Sequence, residues 1–406
     1  MVTIRKGRRV SAVAQALHEA TRAAGGGRCR AMLGAALVAV SGMLATACGG
    51  GGSDGATTPT RTPTGTTTGH FAYVTNVDGN NISAYDIRSD GSLSPLAGAP
   101  FAAGSVPVEV VISPSGKFLY VGNEGKPPYT YSAGGNVSAY GINPTTGALT
   151  PVPGSPFAAD GAPGQLAFSP SGAHLYVLNG SSNNITGFSV DVATGVLAPM
   201  GAPYPVGSNP QDIAVDPSGK FVLVANGLSD NLSVLAIEPA SGALAAVPGS
   251  PVPAGAFPIH IQFAAGGKFV YVNNADSGNR SAYSFNASTG ALTPLAGSPF
   301  ATPNDNGYLT AGRIGDFLYQ PLKNGVAVYS VDVATGVLAL VPGSPFAAGA
   351  DSSGVGIEPS GRYLYLTDFA GGTVNGYAID PTTGALAPVP GSTFAAGMHP
   401  LFIATF

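Results

Sequence analysis

The body of this sequence lacks cysteine. Both cysteines, Cys29 and Cys48, precede residue 50, so no intrachain disulfide can staple the rest of the chain. Charge is scarce too, with Asp, Glu, Lys and Arg making up 9 % of 406 residues. Residues 1–47 hold seven Lys/Arg and one acid, whereas residues 70–406 hold nine basic and nineteen acidic residues. Such an acidic body excludes a nucleic-acid partner, whose phosphates need clustered cations. There is no H-E-x-x-H, paired CxxC, complete P-loop or EF-hand loop, and the five histidines are scattered. No metal and no cofactor is therefore expected. Helical periodicity is missing as well. What is abundant is glycine (59), proline (35) and apolar residues (44 %). That apolar content argues against disorder and suits many short strands joined by tight turns.

The N-terminus reads as an address. A basic stretch leads into the uncharged run AMLGAALVAVSGMLATA at 31–47, the layout of an export signal. Ala45-Thr46-Ala47-Cys48 resembles a bacterial lipobox, which predicts lipidation at Cys48 and a cell-envelope lipoprotein held only by its lipid. Lipoboxes usually carry Leu at the position of Ala45; here Leu44 sits one residue further back. The same tripeptide satisfies the A-x-A rule for ordinary cleavage and free secretion. An uncleaved anchor is a third reading, the run being short for a bilayer span. Residues 48–69 form a Gly/Thr/Pro linker. Gly51-Gly52-Ser53-Asp54-Gly55 matches G-x-S-x-G, but without a strand before it and a helix after it the match reads as chance.

Residues 70–406 repeat. The segments FAYVTN, FLYVGN, HLYVLN, FVLVAN, FVYVNN, FLYQPL and YLYLTD begin at 71, 118, 174, 221, 269, 317 and 363. Each is followed by a second strand such as ISAYDI, a glycine turn, a short third strand such as GALTPV and a loop such as GSPFAAG. A fourth strand, of the type VEVVISP, turns back into the next unit. Four strands per unit at this spacing predict an all-β, seven-bladed β-propeller of antiparallel blades. The first unit lacks its leading strand and the chain ends on LFIATF, which is that strand. The C-terminus is therefore expected to close the ring, and the body to be a monomer. The Phe residues of the loops (Phe101, Phe157, Phe300, Phe346, Phe394) read as packing between blades.

One face of such a ring is monotonous, with PSGK and NPTTG turns. The other varies. Its loop at 122–136 is longer than its counterparts and carries Tyr129 and Tyr131 as candidate ligand contacts. At the axial end of each returning strand the third residue of Pro-x-x also varies: Glu109, Gln165, Asp212, His260, Tyr308, Gly354, Phe402. His260 between Asp212 and Tyr308 is a candidate general base, with Asp212 or Glu109 orienting a water. Gln165, Tyr308 and His399 are candidate ligand-binding residues. The bland alternative is a set of polar groups solvated in a water-filled channel.

The pattern P-x-x-(apolar)-x-SPSGK-(F)-LYV-x-N, then N-(V/I)-SAY-x-I and GALT-P-V-PGSPF, resembles the lactonase-like seven-bladed propellers, which include bacterial 6-phosphogluconolactonase and share their blade pattern with YVTN-type propellers. Family members often show G-P-R-H-…-P-x-G-K-…-Y-V-x-N-E. Pro258, His260, Gly267, Lys268, Tyr271, Val272 and Asn274 match it, while Ile259 stands for the Arg and Ala275 for the Glu. The resemblance implies a lactonase-type hydrolase acting on a lactone or sugar-derived ester. Fold does not fix function, so a non-catalytic propeller that binds a glycan, peptide or envelope protein is the alternative.

Overall fold

The computed structural model describes residues 70–125, 135–302 and 312–406, with 312–314 described by backbone alone. Within these residues the chain forms seven antiparallel sheets, and helix is limited to two short 3-10 turns. The sheets are the predicted blades. Blade two shows the plan: an inner strand at Pro107–Ile112, a second at Phe118–Asn123, a third at Asn136–Ile142 and an outer position. Two short strands, Leu149–Pro151 and Phe157–Ala158, share that outer position and pair with opposite ends of the third strand. The Phe residues expected in loops thus belong to an outer strand broken in the middle.

Ring closure agrees with the expectation. The last strand, Pro400–Thr405, pairs antiparallel with Phe71–Asn76 and becomes the inner strand of blade one. Second strands such as FAYVTN, FLYVGN and FVLVAN are buried at every position. Each has a blade packed on either face, which explains why they read as continuous apolar runs rather than alternating ones. The core is accordingly a set of inter-blade layers. Ala72, Val74, Tyr85, Tyr365, Val374 and Ile403 form the layer across the closure.

Tyrosines fasten these layers. Five from the second strands donate their hydroxyls to a glycine carbonyl in the next blade, at 2.7–2.9 Å: Tyr73 to Gly147, Tyr120 to Gly195, Tyr176 to Gly242, Tyr271 to Gly336 and Tyr365 to Gly91. The glycine is needed for more than its turn. Gly147 has φ +68°, and a Cβ there would lie 2.6–2.8 Å from Leu96 and Phe71.

Candidate functional site

The variable face is built at the entrance to the inner strands. The residue before the strand's first proline takes a left-handed conformation in five blades: Val106, Ala162, Asn209, Phe257 and His399 have φ of 51–56°. This is unfavourable for a non-glycine residue, so the surroundings must hold it. Turn residues of the preceding blade do so, Asn80, Asn183 and Asp230 accepting the amides of Val106, Asn209 and Phe257 at 2.7–2.9 Å. The carbonyls of Val106, Asn209 and Phe257 accept from Glu124, Gly227 and Ala275 at 2.8–3.0 Å. The strand itself then shifts register, between Pro210 and Asp212 and again between Pro258 and His260. Such bulges re-aim a side chain, and here they lie at the residues singled out from the sequence.

The ring is unlike in its two halves. Blades two to five supply a polar arc: Glu109, Gln165, Asp212 and His260. Gln165, Asp212 and His260 are buried and Glu109 is half-buried. Blades seven and one supply Gly354 and Phe402, closed by Ser/Thr contacts. Thr367 Oγ1 accepts from the Gly354 amide at 2.7 Å and donates to the Leu401 carbonyl at 2.8 Å. Thr75 Oγ1 donates to the Val108 carbonyl at 2.6 Å and accepts from the Phe402 amide at 3.2 Å. A Cβ on Gly354 would lie 2.4 Å from the Leu401 carbonyl oxygen, which explains the glycine.

Within the arc, His260 and Asp212 are brought together. Nδ1 of His260 lies 2.9 Å from Oδ2 of Asp212. The contact is an ion-pair distance without hydrogen-bond alignment; the same Oδ2 accepts the Ile261 amide at 2.7 Å. Oδ1 accepts the Ile213 amide at 2.8 Å. Glu109 makes the equivalent reach across blades, accepting the Leu166 amide. Burial, reinforced by the negative charge of Asp212, pushes the Glu109 carboxyl well above the usual carboxylate range. The arc therefore holds one carboxyl biased toward its neutral form and one imidazole beside a carboxylate.

The remaining predicted residues are elsewhere. His399 pairs with Asp78 at 2.6 Å and stacks on Phe369, ring centroids 4.5 Å apart, so its partners are not in the arc. Tyr129, Tyr131, Tyr308 and Cys48 lie outside the described residues. Among the described residues, no cluster of three or more His, Cys, Asp or Glu groups could hold a metal.

Residues 60–210 and 207–306 match the family described as Lactonase, 7-bladed beta-propeller. The chain belongs to that family. One curated relative is similar to it in sequence and two solved structures in fold. A 6-phosphogluconolactonase from Formosa agariphila is 36 % identical over 135 residues, a match covering 32 % of this chain and 35 % of that protein. The match thus spans about a third of that relative's length. A candidate 6-phosphogluconolactonase from Bacteroides uniformis superposes with a TM-score of 0.71 at 19 % identity, covering 84 % of this chain and all of the other. A periplasmic gluconolactonase from Pseudomonas aeruginosa gives a TM-score of 0.68 at 22 % identity, covering 83 % and 98 %. At these identities the two solved structures share the lactonase propeller's fold and say nothing of its substrate.

Two features of the site are not legible in the sequence. The left-handed entrance residues carry no common residue type, so only Asn80, Asn183 and Asp230 offer a signal, as turn residues that tolerate positive φ. The backbone clasps made by Glu109 and Asp212 offer none, because they join blades 57 and 49 residues apart in sequence.

Proposed function

We propose that this chain hydrolyses an uncharged sugar-derived lactone at the polar arc. The observation that carries the reading is the pairing of His260 with Asp212 at 2.9 Å beside a carboxyl biased toward protonation. An imidazole and a carboxyl biased toward its neutral form can divide the work of base and acid. The Asp212 carboxyl stands at ion-pair distance on the Nδ1 side of the imidazole, and the atom proposed to take a proton from water is Nε2. The resulting hydroxide adds to the lactone carbonyl carbon. As the ring C–O bond breaks, the departing alkoxide takes the proton of Glu109. The product is the open hydroxy acid, and the proton on His260 returns to Glu109 through solvent. The described arc residues carry two carboxyls and no cation, so a neutral lactone suits them better than a phosphorylated one.

The test is turnover of glucono-δ-lactone and a panel of neutral lactones, with His260→Ala and Glu109→Gln alongside. Loss of about 10²–10⁴-fold in kcat for His260→Ala is expected for a general base. No turnover by the wild type, or turnover indifferent to both substitutions, would remove the proposal. One observation favours a second reading, binding without turnover: both carboxyls already accept backbone amides. Saturable capture of a glycan or lactone with no hydrolysis would support that alternative.

Export as a lipoprotein anchored through Cys48 completes the reading. It is supported by the basic and apolar segments before Cys48 and by the Gly/Thr/Pro tether after it. Palmitate labelling that persists in Cys48→Ser would refute the anchor.

A further inference from the structure

A second polar feature lies away from the arc, between blades five and six. The second residue of each third strand is apolar in six blades: Ile82, Val137, Ile185, Leu232, Val326 and Val374. In blade five it is Arg280, 2 % exposed. A buried guanidinium needs an anion or a full set of acceptors. Arg280 has neither. Its Nε donates to Asn273 Oδ1 at 2.7 Å and its Nη2 donates to Gln320 Oε1, both uncharged oxygens. The Tyr329 ring sits 4.7 Å from its Cζ. Among the described residues, Nη1 is buried with no partner and no carboxylate forms an ion pair with Arg280.

The neighbours depart from the blade pattern as well. Gln320 stands where the other second strands carry Val74, Val121, Val177, Val224, Val272 and Leu366. Tyr85, Tyr140, Tyr283 and Tyr377 each donate a hydroxyl to the outer strand of the preceding blade. The equivalent hydroxyl of Tyr329 is buried without a partner among the described residues. Where those contacts would close the wall, a pocket of about 380 Å³ opens instead, lined by Arg280, Tyr329, Phe300, Thr302, Leu338 and Leu340. It falls at the small end of ligand pockets, about 300–1,000 Å³.

We propose that this inter-blade pocket binds a small carboxylate with an apolar body, its head group on Arg280 and its tail against Phe300, Leu338 and Leu340. A single guanidinium in an apolar wall matches a planar monoanion. A phosphate dianion would need more donors than the wall provides. The site shares no residue with the polar arc, so it stands or falls independently of lactone hydrolysis.

The probes are hexanoate and benzoate, compared with hexanol, benzyl alcohol and inorganic phosphate, followed by calorimetry and by the shift in melting temperature. Both carboxylates are expected to bind and raise the melting temperature, the alcohols and phosphate to do neither. Arg280→Leu restores the apolar pattern of the other blades. It is expected to weaken carboxylate binding about ten- to a hundredfold, the range for a lost hydrogen bond to a charged group. If Arg280→Leu does not fold, Leu340→Asp places a negative charge at the exposed mouth and should weaken binding in the same direction. Equal binding of acid and alcohol, binding of phosphate alone, no binding, or binding unchanged in the folded variant would each overturn the proposal.

Discussion

Deleting residues 401–406 is expected to unfold the ring. The segment buries Leu401, Phe402 and Ile403, at 0 %, 3 % and 7 % exposure. At about 1.5–3 kcal/mol for each buried side chain, their loss costs roughly 5–9 kcal/mol. It also removes the backbone bonds between Phe71 and Phe406, at 2.8 and 2.9 Å, and leaves Phe71–Asn76 as an open edge. The whole stability of a native protein is about 5–15 kcal/mol, so the remainder cannot hold the ring closed. The assay is thermal melting by circular dichroism with size-exclusion chromatography. A graded control, Ile403→Ala, should cost about 2–5 kcal/mol and keep the fold. Hydrogen exchange adds the location: in Ile403→Ala, amides of Ala72–Val74, which pair with the last strand, should lose protection before those of blade four. A truncated protein that elutes and melts like the full chain would refute the closure argument.

Two other outcomes rest on the same geometry. Tyr365→Phe removes a bond to the Gly91 carbonyl and should cost about 1 kcal/mol in urea unfolding, whereas Tyr319→Phe, whose hydroxyl has no partner among the described residues, should cost less. Similar losses at both positions would show that the hydroxyl bonds do not fasten the blades. Glu109 should give the protein a pH slope. Its folded carboxyl is raised above the ordinary value of 4.5, so its stabilising contribution is complete below that pH and is lost as pH rises toward the folded value. Melting temperature followed upward from pH 4.5 should show this loss in the wild type and not in Glu109→Gln; parallel curves would refute the assignment.

Seven blades, their order and the closing strand are legible in the sequence because spacing survives substitution: the repeated F-L-Y-V segments fix both period and count. The broken outer strand is not. Phe157–Ala158 is two residues long, too short to show an alternation, and a proline precedes it. The role of Tyr120 and its equivalents is hidden because a tyrosine in a strand looks like any bulky β residue, and its partner glycine 75 residues on looks like any turn. Arg280 escapes notice because the recognisable repeat of blade five, SAYSF, begins at Ser281, one residue past the single charged side chain at an otherwise apolar position.

The arc shows how far a structural explanation of its acids can go. An inner strand has a neighbour on one side only, so some of its amides must find acceptors other than a strand. Thr75 and Thr367 meet that need with hydroxyls in blades one and seven. Glu109 and Asp212 meet it with carboxyls, the first half-buried and the second buried, close enough for the charge of Asp212 to bias Glu109 toward its neutral form. A hydroxyl would clasp the same kind of amide without that repulsion, as it does elsewhere in this ring. The clasp therefore accounts for an oxygen at each position but not for an acid. What the acids add is a carboxyl biased toward its neutral form and a second carboxyl beside His260, both on the face where the blades stop resembling one another. That surplus over structural need is the strongest argument for chemistry at the arc. It also makes Glu109→Gln the informative substitution, since it keeps an oxygen for the Leu166 amide and removes the proton.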